Sequence, residues 1–133
     1  MNQQAFRERY MQLSWPQQLG NLASTLARIS TRAISPQYDT LVADLLREAA
    51  LFIEWSARGV PPSLLLDLAP LQKEFLLWRR VWPQEALRPL LALQSRHLSD
   101  RLLRLIQWLC RCLHWPSLLE PSCIRVRRRG HPL

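Results

Sequence analysis

The chain has 133 residues, of which 48% are hydrophobic and 21% charged, and its formal net charge at pH 7 is +8. This length suits one domain with a buried core, and three glycines are too few for a β fold rich in glycine turns. No run of about 18 apolar residues occurs and the first residues lack an apolar signal region, so we expect neither a transmembrane helix nor a secretory signal.

The cysteines bear on the cellular setting. There are three of them, an odd number, and Cys110 and Cys112 stand only two positions apart. This arrangement does not suit a framework of structural disulfides, which is typical of small secreted proteins. We therefore expect reduced cysteines and a cytoplasmic location.

Serine and proline positions divide the chain into segments whose apolar residues recur every three or four positions, which predicts a helix for each segment. The first helix is expected over residues 2–13. Ser14 then stands where a helix cap belongs, with Pro16 in the first turn and Gln17 in the capping-box position. The second helix is therefore predicted to run from Trp15 to Ala33.

Two stripes run side by side along the second predicted helix. One is apolar and suits the core, whereas the other is made of small side chains that let a second backbone approach closely. A glycine inside a helix costs about 1 kcal/mol relative to alanine, so Gly20 is predicted to have a packing role. The second helix thus offers one stripe to the core and one to a partner. The small stripe consists of Gly20, Ser24, Ala27 and Thr31.

The third helix is predicted over residues 35–58, with Gly59 as the glycine that follows its last turn. Residues 60–63 then form a turn, because the two adjacent prolines there cannot continue a helix. The fourth helix is expected over residues 63–81. Pro70 falls inside it, and either kinks the helix or divides it into two shorter ones.

Two more helices follow in the C-terminal part. A fifth is predicted to begin at Pro83 and to bend at Pro89, and a sixth to begin at Ser99 and to end before Pro116. Residues 117–133 carry proline, serine and arginine with little periodicity, so we expect them to be mostly disordered.

These segments together predict an all-α fold. We expect a single-domain bundle of about five or six helices over residues 1–116, joined by short proline-marked turns and followed by a basic tail over residues 117–133. Short connections favour antiparallel neighbours, so the apolar faces should converge on one core.

Sequence signatures of catalysis are missing. The chain has no glycine-rich phosphate loop, no His-Glu-x-x-His, no Gly-x-Ser-x-Gly and no Cys-x-x-Cys. A metal site can be drawn from Cys110, His114 and Cys123, but a structural zinc site needs four such ligands. A small buried side chain is the simpler interpretation of Cys110.

One pair of carboxylates is a candidate for acid–base chemistry. Asp44 and Glu48 stand four positions apart on the third predicted helix, a spacing that places them on one face. Because Arg47 lies beside them, the segment is better interpreted as a solvated helix face. We therefore predict a non-enzymatic protein with no catalytic residue, no cofactor and no metal ion.

The positive charge is concentrated towards the C-terminus. Residues 96–133 hold eight basic and two acidic side chains, whereas residues 1–95 hold ten and eight. On the last predicted helix a stripe of exposed basic and aromatic residues lies opposite the leucines, and we call it the basic stripe. It consists of His97, Arg101, Arg104, Trp108 and Arg111, and the tail adds Arg125, Arg127, Arg128 and Arg129.

The basic stripe has three interpretations. It can bind nucleic-acid phosphates, it can dock on an anionic membrane with its tryptophan at the interface, or it can be a solvated face with a solubilising tail. No helix-turn-helix pattern with a glycine-containing turn precedes it, so sequence-specific DNA binding is not indicated.

The six tryptophans suggest a partner surface. Trp78 and Trp82 share a helix face with other apolar residues and are predicted to lie in the core. Trp55 falls beside the main apolar stripe of the third helix, so we expect it to be partly exposed. Exposed tryptophan and arginine are enriched in protein interfaces, which adds Trp55 to the candidate binding residues.

Several strings resemble a small all-helical protein family of cyanobacteria. They are Leu19-Gly20-Asn21-Leu22-Ala23-Ser24-Thr25-Leu26-Ala27-Arg28-Ile29, Leu45-Leu46-Arg47-Glu48-Ala49, Phe52-Ile53-Glu54-Trp55 and Trp78-Arg79-Arg80. The resemblance covers about residues 1–110 and rests on helix-packing positions. It implies a bacterial cytoplasmic protein without an assigned activity, and it transfers no site residues.

The functional hypothesis is a non-enzymatic helical module for protein–protein interaction, either a homodimer or an adaptor in a larger assembly. The alternative is binding of nucleic acid or another anionic surface through the basic stripe and the tail. Peripheral membrane contact belongs to that alternative.

Overall fold

The predicted all-α architecture is confirmed by the computed structural model, which describes residues 3–112. This part of the chain contains five α-helices and no strand. Short 3-10 turns over Pro36–Tyr38 and Glu85–Leu87 precede the third and fifth helices. The predicted tail over residues 117–133 lies outside the described residues. The helices are α1 (Gln3–Met11), α2 (Trp15–Arg32), α3 (Asp39–Ser56), α4 (Pro62–Val81) and α5 (Arg88–Cys112).

Helix α2 is the centre of the bundle, because it packs against both α3 and α5. Its predicted apolar stripe is completely buried, with 0% exposure for Leu19, Leu22, Leu26, Ile29 and Ala33. Polar contacts connect it to both neighbours. Its Thr25 hydroxyl donates to Glu48 of α3 at 2.9 Å, and the Ser99 hydroxyl of α5 donates to the Ala23 carbonyl at 2.8 Å.

The start of α2 follows the predicted capping box. The Gln17 amide N–H donates to the Ser14 hydroxyl at 3.4 Å, and the Ser14 N–H donates to the Gln17 side chain at 3.3 Å. These reciprocal bonds satisfy amide groups that a helix start leaves without partners, with Pro16 in the first turn as expected.

Two predicted helix boundaries are corrected by the structure. The fifth and sixth predicted helices form one continuous helix, α5, and Ser99 lies inside it with its hydroxyl bonded to α2. Helix α5 begins at Arg88 and not at the predicted Pro83, and Pro89 is its second residue, where a missing N–H removes no helical hydrogen bond. Pro70 also lies inside a helix that continues through it, so α4 is not divided.

The expected roles of two glycines are wrong. No heavy atom lies within 4 Å of the place where a Cβ on Gly20 would stand, so nothing packs closely against it. Gly59 does not take a left-handed conformation, since none of the described glycines has a positive φ, and α3 already ends at Ser56.

A buried arginine connects the helix ends at one end of the bundle. Arg88, the first residue of α5, is 6% exposed and donates to both carboxylate oxygens of Asp39 at 2.6 and 3.0 Å. It also donates to Glu85 at 2.7 Å and to the Ala33 carbonyl at 3.2 Å. The Trp82 ring lies 5.3 Å from the guanidinium carbon. These contacts tie the start of α5 to the ends of α2, α3 and α4.

A buried tyrosine has the corresponding role at the opposite end. The Tyr10 hydroxyl of α1 lies 2.6 Å from the Ser56 hydroxyl of α3 and 2.9 Å from the Gln18 carbonyl of α2. Its ring stacks on Phe52 with centroids 4.4 Å apart. Burial raises the pKa of Tyr10 well above its ordinary value, although the Ser56 bond opposes this. Helix α1 is therefore fixed across α3.

Replacing Gly20 with alanine should stabilise the protein by roughly 0.5–1 kcal/mol, because alanine has the higher helix propensity and its methyl group meets open space. Urea unfolding of the two proteins measures this difference. The reverse substitution Ala27→Gly on the same helix should destabilise by a similar amount. A Gly20→Ala protein less stable than the wild type would show that a close contact exists at this position.

The pH dependence of stability should report the Asp39–Arg88 pair. Hydrogen bonds from Arg88 hold the pKa of Asp39 below its ordinary value of 3.8. The carboxylate therefore contributes stability that is present above about pH 4 and is lost as the pH falls through the lower pKa of the folded state.

Asp39→Asn should accordingly be less stable than the wild type at neutral pH and should lose less stability on acidification. Denaturant unfolding at several pH values between about 2 and 6 measures both effects. Glu54→Gln, which removes an exposed carboxylate of the same helix, is the matched control and should keep the wild-type slope. Equal slopes for wild type and Asp39→Asn would contradict the assigned role.

Candidate functional site

The structure places the basic stripe on the outer side of α5. All five of its residues are exposed, while Leu102, Ile106 and Leu109 on the other side are buried. Trp108 has 61% of its surface exposed, which is high for a large aromatic side chain. The prediction that these residues share one solvent-facing side is therefore confirmed. The tail arginines Arg125, Arg127, Arg128 and Arg129 lie outside the described residues.

The charges of the stripe differ in their surroundings. Arg101 lies 3.6 Å from Asp67 of α4, at the edge of the stripe. Within residues 3–112, no carboxylate lies within ion-pair distance of Arg104 or Arg111. The C-terminal half of α5 therefore presents two cations that no carboxylate of residues 3–112 pairs with, beside an exposed indole.

Trp55 does not belong to any exposed surface. It is 4% exposed, because α1 covers the side of α3 on which it stands. Its ring lies 5.8 Å from that of Phe6 and 5.6 Å from that of Tyr10. The expectation of partial exposure is therefore wrong. The periodicity of α3 alone did not show that the short first helix packs against this side.

Helices α4 and α5 run antiparallel and are joined by two side-chain contacts, although α4 packs mainly against α3 and α5 mainly against α2. The Gln94 side chain of α5 donates to Glu74 of α4, and Arg101 of α5 pairs with Asp67 of α4. Seven residues forward along α5 therefore correspond to seven residues backward along α4. Continuing this register places Leu77 of α4 level with residues 90–93 of α5. In the same register Pro62, the first residue of α4, is level with residue 106 of α5, so the outer sides of the two helices lie beside each other only up to that level.

The outer sides of the two helices carry apolar side chains that the sequence analysis did not single out. Leu66 and Leu77 of α4 are 80% and 51% exposed, and Leu93 of α5 is 55% exposed. On α4 these residues lie opposite the buried line of Leu64, Leu68 and Phe75. A second row of apolar residues along α4 and along α5 was the sequence pattern that could have identified these exposed side chains. We define the α4–α5 outer surface as Leu66, Leu77, Val81, Leu90, Leu93, Arg104, Trp108 and Arg111.

The candidate carboxylate pair lies at a different place, in an open groove between α1 and α3. The groove has a volume of about 300 Å³ and is also lined by Gln3, Phe6 and Leu51. Glu48 accepts a hydrogen bond from Thr25 at 2.9 Å, and Arg47 donates to Gln3 at 3.0 Å. Glu48 is thus engaged with α2, whereas Asp44 is exposed at the edge of an open groove.

Only one of the three candidate metal ligands lies within the described residues. Cys110 is buried, whereas His114 and Cys123 lie outside the described residues. Cys112 is exposed and free. Among residues 3–112, no group of three or more histidine, cysteine or acidic side chains is arranged to hold a metal ion.

Comparison with known proteins finds no relative. No protein-family model matches the chain, and neither a curated protein nor a solved structure is similar to it. The resemblance to the cyanobacterial helical family therefore stays a prediction. Within the described part of the chain, no helix is long and apolar enough to cross a membrane.

Proposed function

We propose that the chain is a non-enzymatic helical interaction module that binds a protein partner through the α4–α5 outer surface. The observation that carries the proposal is the exposure of large apolar side chains along the outer sides of both helices, together with Arg104, Trp108 and Arg111 on α5. Eight of the ten exposed large hydrophobic residues recorded in the described part of the chain belong to α4 or α5.

The composition of this surface supports a protein partner. Interfaces are enriched in tryptophan and arginine, and their strongest contributions come from aromatic and arginine side chains that become desolvated. Leucine side chains exposed by half or more, such as Leu66 and Leu93, make the free energy of binding more favourable when a partner removes them from water. Scattered apolar residues need no explanation, but a surface that combines several of them with an exposed indole favours binding.

Introducing charge at two apolar residues of the α4–α5 outer surface should abolish partner binding. The double variant Leu77→Asp and Leu93→Asp should recover its protein partners at least about tenfold less well in quantitative affinity purification, a loss of about 1.4 kcal/mol. Circular dichroism should show unchanged helix content, since both side chains are exposed.

Ile34→Asp is the matched control for this experiment. Ile34 is 53% exposed and lies in the turn between α2 and α3, so it is not part of the proposed surface and its replacement should leave binding unchanged. A double variant that keeps every partner and the wild-type oligomeric state would refute the proposed function.

Nucleic-acid binding is the second candidate, and the exposed stripe of Arg101, Arg104, Trp108 and Arg111 favours it. Arginines can neutralise phosphates, and an exposed indole can stack on an unpaired base.

If this candidate is correct, the protein should bind mixed cellular RNA and DNA, and its affinity should fall steeply as salt is raised. The triple variant Arg101→Glu, Arg104→Glu and Arg111→Glu should lose that binding. Arg28→Glu and Arg47→Glu, which reverse exposed charges on α2 and α3, should not. Fluorescence anisotropy over a salt series measures the slope, and salt-independent or absent binding would eliminate this candidate.

A further inference from the structure

The solvent side of α5 carries residues whose spacing is the same in both directions. From Leu90 to Arg111 the successive steps are 3, 4, 3, 1, 3, 4 and 3 residues, which is symmetrical about the point between Asp100 and Arg101. All of these residues are exposed, and at 3.6 residues per turn they lie along one side of the helix for about 32 Å. We call this set the α5 outer row. It consists of Leu90, Leu93, His97, Asp100, Arg101, Arg104, Trp108 and Arg111.

The symmetrical spacing has a direct consequence for a second copy of the chain. When two α5 helices lie antiparallel about a two-fold axis at the central point, each residue of the row is level with another residue of the row in the other copy. Each such contact occurs twice, because the two-fold axis repeats it. The level pairs are Leu90 with Arg111, Leu93 with Trp108, His97 with Arg104, and Asp100 with Arg101.

The apolar part of the row meets the aromatic part of the other copy. Leu93 is 55% exposed and Trp108 is 61% exposed, and the antiparallel arrangement removes both from water at each end of the contact. Leu90 lies level with Arg111, whose methylene groups can cover an apolar side chain while the guanidinium stays in water. The two ends therefore bury large side chains that a single copy leaves exposed.

Charge supports the same arrangement at the centre of the row. Asp100 is the only acidic residue of α5, and the two-fold axis places it level with Arg101 and within one turn of Arg104 of the other copy. Arg104 has no carboxylate partner among residues 3–112, and Arg101 lies 3.6 Å from Asp67 at an exposed edge. Opposite charges that face each other across a contact favour that register over others.

Other arrangements lack this match. In a parallel two-fold pair each residue is level with itself, so that Arg104 and Arg111 stand against the same cations and Asp100 against the same carboxylate. In the antiparallel pair Arg104 is instead level with His97, and a neutral imidazole can accept a hydrogen bond from a guanidinium. A nucleic acid would neutralise the arginines but would offer little apolar surface to Leu93.

From this self-complementarity we propose that the partner at the α5 outer row is a second copy of this chain, packed antiparallel about a two-fold axis between Asp100 and Arg101. The inference rests on the proposed function, because it names the partner for part of the same surface. It depends on α5 alone.

Sedimentation velocity of the full chain tests the inference. Over about 1 to 200 μM, a range that covers the affinities of weak interfaces, the wild type should pass from monomer to dimer. Leu93→Asp and Trp108→Ala should each raise the dissociation constant of the dimer at least about tenfold, because each removes a contact that occurs twice. Ile34→Asp, which changes an exposed apolar residue outside the row, should leave it unchanged. Circular dichroism of each variant checks that the helix content is kept.

Exchanging charge at the centre tests the register. Asp100→Arg places arginine at both central positions of both copies, and Arg101→Asp places a carboxylate at all of them. Each variant alone should therefore dimerise at least about tenfold more weakly than the wild type. In a parallel pair the wild type already sets like charges against each other there, so neither variant would be weaker.

Mixing the two variants should restore the contact. One copy then supplies only arginines to the centre and the other only carboxylates, so the mixed dimer should be at least about tenfold tighter than the dimer of either variant alone. Fluorescence-detected sedimentation with one copy labelled measures this preference. Arg28→Glu, a charge change on α2, is the control, and its mixture with the wild type should show no preference.

Each other result overturns a defined part of the inference. A wild type that stays monomeric over the whole range, or a dimer that Leu93→Asp and Trp108→Ala do not weaken, eliminates the second copy as the partner at this row. Dimers without a preference for the mixed pair show that Asp100 and Arg101 do not meet, so the arrangement is wrong. In each case the proposed function stands if affinity purification recovers another protein that Leu77→Asp with Leu93→Asp loses, and it falls if no such protein is found.

Discussion

The arrangement of the bundle depends on the buried pair of Arg88 and Asp39. The guanidinium is held by two carboxylates, a backbone carbonyl and an aromatic ring, so the first residue of α5 is fixed against the ends of three other helices. A charge buried to this extent is tolerated only when its donors are satisfied, and breaking one partner leaves the other charge without compensation. The pair therefore fixes the position of the first turn of α5 against the other helices.

The orientation of α5 has a direct consequence for binding. With Ser99 bonded to α2, the leucines of α5 face the core and the basic stripe faces outwards. Helix α4 lies beside it in antiparallel register and adds Leu66 and Leu77 to the same surface. The exposed apolar side chains of both helices thus lie on their solvent-facing sides.

The buried polar side chains form hydrogen bonds between helices. Tyr10 joins α1 to α2 and α3, and Thr25 joins α2 to Glu48, so these side chains are already engaged within the fold. Buried polar groups that are hydrogen-bonded in this way contribute to a unique arrangement of helices. On the outer side of α5, by contrast, Arg104 and Arg111 make no ion pair with any described residue, and Trp108 is exposed.

The sequence alone determined the helical class, the capping box at Ser14, the buried line of α2 and the outward stripe of α5, because apolar period and cap chemistry are local signals. Only the tertiary structure decided the rest. Trp55 is buried because α1 crosses α3, and Ser99 continues a helix because its hydroxyl has an acceptor on α2. The Arg88 pair and the joint α4–α5 outer surface likewise depend on residues far apart in the chain. Such contacts follow from how the helices pack against one another, which no local periodicity specifies.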